Sequence, residues 1–67
     1  MSRRGLKVVD WNKNHRVGDE VLLRLDDGRE VRTRTQTAAH LLGGHTAVIW
    51  LVGFPGCWML DRVKGVV

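Results

Sequence analysis

Apolar and polar residues alternate with a period of two along much of this chain, and that period predicts strands. The clearest stretch opens at Val17-Gly18-Asp19-Glu20-Val21, after which Val21, Leu23 and Leu25 alternate with Leu22 and Arg24. Beyond Asp26-Asp27-Gly28 the alternation resumes over residues 29–37. There Val31, Thr33 and Thr35 fall on one side and Arg32, Arg34 and Gln36 on the other. Two such runs joined by a Gly-containing turn form a hairpin. Side-chain pairing decides its register. A two-residue turn at Asp27-Gly28 sets Leu23 against Arg32 and Leu25 against Glu30, mixing core with charge. A three-residue loop over 26–28 sets Leu23 against Val31 and Val21 against Thr33, and faces Arg24 with Glu30 and Glu20 with Arg34. Apolar then meets apolar and opposite charges meet, so this register is predicted, with Gly28 in the left-handed position.

The remaining pattern is shorter. Residues 6–9, Leu-Lys-Val-Val, read as a first strand, and the polar residues 10–16 with Asn12-Lys13-Asn14 read as turns. Trp11 is expected to pack back on the body. Ala38-Ala39-His40-Leu41-Leu42 suggests one helical turn stopped by Gly43-Gly44. Residues 46–52 read as a strand apolar on both faces, with Ala47, Ile49 and Leu51 against Val48, Trp50 and Val52. Gly53-Phe54-Pro55-Gly56 reads as a turn, residues 57–60 as a short strand, 61–63 as a tight turn, and 64–67 as a closing strand. The expected fold class is all-β: a small barrel of five to six strands over residues 6–67, preceded by a flexible basic arm, residues 1–5.

Length bounds what such a fold can be. Sixty-seven residues and 7.6 kDa make one small domain. A single cysteine excludes an internal disulfide. The longest apolar run, residues 47–52, is far short of the about 20 residues that span a bilayer. The basic start lacks a following apolar stretch, so no secretory signal is read and a host-cell cytoplasmic location is expected, without membrane partners. The net charge of +4 sits unevenly. Arg3, Arg4, Lys7, Lys13 and Arg16 stand against Asp10 alone, whereas residues 17–67 hold equal numbers of basic and acidic groups. A neutral body argues against tight binding of nucleic acid, and the basic start offers phosphates a sequence-independent contact.

Val17-Gly18-Asp19-Glu20-Val21, the Asp27-Gly28 hairpin, the late strand and Leu60-Asp61-Arg62-Val63 together resemble a Src-homology-3-like barrel. More narrowly they resemble the short barrel proteins carried by bacterial phages, prophages and plasmids. The resemblance covers residues 17–67 and implies a binding module, often homo-oligomeric. Plasmid-encoded type II dihydrofolate reductase is similar in size and pattern. Its Val-Gln-Ile-Tyr motif would fall at Cys57-Trp58-Met59-Leu60, where the Gln and Tyr are missing, so its folate and nicotinamide contacts do not carry over.

Other chemistry is thinly represented. His15, His40, His45 and Cys57 lack the paired spacing of a zinc site, and no metal or cofactor is expected. Cys57 beside Trp58 reads as a small core residue rather than a nucleophile. The glycines at 43, 44, 53 and 56 do not form a phosphate loop. No enzyme is expected. The aromatic set carries more information. Trp11, Trp50, Phe54 and Trp58 exceed what so small a core hides, so the surplus is expected on a contact surface. Trp50, Phe54 and Trp58 are the candidate apolar contact residues, and Arg32 and Arg34 their ionic rim. The partner expected is a protein: a further copy, in a homo-oligomer, together with a host protein. The alternative is nucleic acid, bound by the arginine stripe while an exposed tryptophan stacks on bases. A small ligand trapped within an oligomer is a third class.

Overall fold

The computed structural model describes residues 3–66, with side chains from Gly5 onward. The part of the expected arm at residues 1–2, and the last residue of the expected closing strand, Val67, lie outside the described residues. The chain is mostly β. A helix α1 (Arg3–Asn14) precedes strands β1 (Glu20–Arg24), β2 (Glu30–Arg34), β3 (His40–Leu42), β4 (Thr46–Leu51) and β5 (Phe54–Met59). A 3-10 turn (Leu60–Arg62) then leads to β6 (Val63–Gly65). The strands form two three-stranded antiparallel sheets, ordered β2-β1-β6 and β3-β4-β5.

The β1–β2 hairpin has the expected register: Leu23 faces Val31, Val21 faces Thr33, Arg24 faces Glu30 and Glu20 faces Arg34. The Leu25 N–H donates to the Arg29 carbonyl at 2.8 Å, and Gly28, at φ +89°, closes the loop. Past β2 the chain turns to the second sheet. Thr35 bridges Leu51, Val52 N–H donates to Arg34 O, and Gln36 N–H donates to Trp50 O. One strand thus serves β1 with its body and β4 with its tail, joining the sheets over a shared core. Val21, Leu23, Ile49 and Leu51 are fully buried there, beside Ala39, Ala47, Leu60 and Val63. Among the described residues no pairing joins β5 to β6, so the sheets do not close into a barrel.

Local expectations are corrected in three segments of the chain. Residues 6–9 are not a strand, nor 10–14 a turn, nor Arg3 to Gly5 a loose arm: all belong to α1. Gly5, Val8 and Trp11, spaced by three, form its least exposed side, which His15 continues just past the helix end. Val8 and Trp11 pack on the core. Local propensity disfavours a helix in this polar, β-branched segment, so tertiary packing is what stabilises it. Residues 38–42 do not make a helical turn. His40–Leu42 pair with β4, and Gly43-Gly44, both at positive φ, turn the β3–β4 hairpin instead of ending a helix. Nor is 53–56 the turn. Val52-Gly53 is the turn, since Leu51 faces Phe54, and Pro55-Gly56 bulge out of β5 before Cys57 meets Trp50. Proline lacks the N–H a ladder needs, so a bulge accommodates it.

Asn12 locks α1 to the sheet. Its side-chain amide donates to Ala39 O at 3.1 Å, and its carbonyl oxygen accepts from Ala39 N–H at 2.8 Å. It thereby substitutes for a neighbouring strand just ahead of β3. Asn12→Ala leaves both part-buried backbone groups unpaired and should cost about 1–3 kcal/mol. Urea unfolding followed by tryptophan fluorescence measures this, and an unchanged midpoint would contradict it.

Candidate interaction surfaces

Strand alternation assigns each site residue to a face. In β4, Ala47, Ile49 and Leu51 point to the core, so Thr46, Val48 and Trp50 lie on the opposite face, where Val48 is buried among its neighbours and Thr46 and Trp50 are half-buried. Their partners share their side. His40 and Met59 flank Val48, Leu42 lies beside Thr46, and Cys57 faces Trp50. The His40 ring meets the half-buried Trp50 ring edge-on, with centroids 5.8 Å apart. Leu42 and Met59 keep 53% and 49% of their surface exposed. Strands β3, β4 and β5 contain no Asp, Glu, Lys or Arg. The second sheet therefore presents an uncharged, largely apolar outer face.

Phe54 and Trp58 are not part of that face. Trp58 faces Ile49 and Phe54 faces Leu51, so both point to the core side and pack on it. Their rings meet edge-on with centroids 6.0 Å apart. The Trp58 indole N–H is enclosed and finds no acceptor among the described residues. The three expected contact aromatics are thus divided, with only Trp50 turned outward. Cys57, expected as core, is exposed instead. Trp11 covers core from α1 and stacks on His15 with centroids 3.9 Å apart.

The other sheet is the reverse. On its outer face Arg32, Leu22 and Lys64 form one cross-strand row, Arg34 and Glu20 a second, and Glu30 and Arg24 a third. The ion pairs run diagonally rather than along the expected rows. Glu20 engages Arg32 at 3.7 Å, and Glu30 engages Lys64 at 2.9 Å. Arg34 instead donates to the Gly18 carbonyl at 3.0 Å, and Arg24 has no carboxylate partner among the described residues. Since Val52 N–H bonds to Arg34 O, Arg34 stands at the seam between the two faces.

A hollow of about 110 Å³ lies at the corner of the charged sheet, lined by Arg24, Glu30, Asp61, Arg62, Val63 and Lys64. Ligand pockets usually measure about 300–1,000 Å³, so this one suits a few waters. No helix among the described residues is long and apolar enough to cross a membrane. Of the residues that matter on these faces, His40 and Leu42 escaped the sequence because β3 was not legible as a strand, and Met59 because the bulge in β5 settles which face it takes. Lys64 escaped it because its place beside Leu22 depends on β6 pairing with β1, and Arg24 because its expected pairing with Glu30 gave no reason to single it out. Comparison of the chain with protein-family models, curated proteins and solved structures finds no match.

Proposed function

We propose that this chain is a non-enzymatic binding module, a small, open variant of the Src-homology-3-like barrels carried by mobile elements, that acts by protein contact and assembles with copies of itself. The sheet order β6-β1-β2, continued through the Thr35–Leu51 bridge into β4 and β5, is that of a sheet curling toward a barrel, which supports the architectural part. The observation that carries the functional part is the uncharged outer face of β3–β4–β5 around Trp50, with Leu42, Cys57 and Met59 open to contact. Interface centres are depleted in charge, and tryptophan is enriched among the residues that dominate binding. A second copy suits this face because an uncharged surface brings no like charges together when it meets itself. Light scattering across a dilution series tests the proposal. A multimer that disperses only on dilution is expected, and a monomer at every concentration would overturn it.

A further inference from the structure

The sum of charges over residues 17–67 is zero, yet the fold separates the signs. Four of the six carboxylates lie in loops or in the 3-10 turn, and each is engaged locally. Asp19 accepts from Arg16 N–H at 2.9 Å, Asp27 holds Arg29, Asp26 holds Arg62, and Asp61 holds Lys7. The cations Arg24, Arg32, Arg34 and Lys64 project together from the outer face of β2-β1-β6, where Glu20 and Glu30 are the carboxylates on the strands themselves and Asp61 and Arg62, of opposite sign, line the corner beside Arg24 and Lys64. Two positive charges remain in excess there. Alternate residues of a strand are about 6.6 Å apart and adjacent strands about 4.8 Å apart, so these cations occupy one small patch. Arg34 and Arg24 mark opposite rows of it, and among the described residues neither is held by a carboxylate.

From this separation we infer that the outer face of β2-β1-β6 binds the phosphate backbone of double-stranded DNA without reading its sequence. Excess positive charge on one face is what a polyanion recognises, through release of its condensed counterions. Single strands draw much of their affinity from bases stacked on aromatic rings, and this face has none. The nearest outward ring, Trp50, is across the seam, half-buried and engaged by His40. RNA duplexes are recognised largely at their 2′-hydroxyls. The face offers no hydroxyl or amide side chain for that purpose, its outward residues being Glu20, Leu22, Arg24, Glu30, Arg32, Arg34 and Lys64. The basic face and the apolar face belong to different sheets. Self-assembly through one would therefore leave the other free, and several copies would bind one duplex more tightly than a single copy.

The glutamates make the test two-sided. Titration of the full chain with a mixed-sequence DNA duplex of about 20 base pairs should show binding that weakens roughly tenfold per bound protomer between about 50 and about 200 mM salt, as two phosphate contacts require. Arg24→Gln with Arg34→Gln should weaken binding at least tenfold at the lower salt. Glu20→Gln with Glu30→Gln releases Arg32 and Lys64. It should tighten binding and raise the salt effect toward roughly a hundredfold, as four contacts require. A gain of affinity is not a consequence of misfolding, so this second variant separates recognition from stability. The inference is overturned if neither pair changes the affinity, or if neither the wild type nor the glutamine variant binds the duplex. Tighter binding to single-stranded DNA or to duplex RNA overturns it equally, as does binding to anionic vesicles alone.

Discussion

Leu42→Glu combined with Met59→Glu should convert the assembled protein into a monomer that still folds. Both side chains are about half exposed on the outer face of β3–β4–β5, so the free chain hydrates the new carboxylates at little cost. Exposed substitutions of this kind usually change stability by less than about 0.5 kcal/mol. In the contact between copies the balance is different. Each copy presents its carboxylates to those of the other, on strands that have no Lys or Arg to pair with them. Like charges brought together across an interface cost several kcal/mol, and about 3 kcal/mol already weakens association roughly a hundredfold. Light scattering should report the monomer mass at concentrations where the wild type is assembled, with an unchanged thermal midpoint. Arg24→Gln, on the other sheet, should leave the mass as it is. An assembly that persisted in the double variant would remove this face from the contact.

Ile49→Ala should unfold a large fraction of the molecules. Ile49 is fully buried at the middle of β4, facing Trp58 across the ladder and lying in one core with Val21, Leu23 and Leu51. Truncating a buried isoleucine costs about 2–5 kcal/mol through lost burial and the cavity that remains. A domain of this length holds only about 3–10 kcal/mol in total, at about 0.05–0.15 kcal/mol per residue. Urea denaturation should show a large fall in midpoint with an unchanged slope. A loss below about 1 kcal/mol would mean that the two sheets do not share the core described for them.

The β1–β2 hairpin was legible because each side chain there votes on register, and a slip of one residue would put Arg32 against Leu23. The strands at 46–51 and 57–59 were legible from their apolar runs. Helix α1 was not. Its Val8-Val9 pair and its Asn-rich end favour other structure locally, and only contact of Val8, Trp11 and Asn12 with distant residues makes it a helix. Strand β3 was hidden for a related reason: three residues carry too short a pattern until β4 is beside them. The candidate surface inherited these limits. Trp50 and Trp58 look alike in a strand apolar on both sides, and the bulge at Pro55-Gly56 determines which partner each meets and so which way it points. Charge presented the converse problem. Counting gives a neutral body, whereas the fold puts cations on a sheet face and most carboxylates in turns.

Cys57 offers the most direct test, because it is the chain's one cysteine and it is exposed opposite Trp50 at the middle of the proposed contact. Its rate of reaction with a maleimide would be measured on wild-type protein at a concentration where light scattering finds the assembly, and again after dilution to the monomer. Self-association through β3–β4–β5 covers the thiol, so the reaction should be much slower in the assembly. Equal rates in a sample shown to be multimeric would place the contact elsewhere and contradict the account.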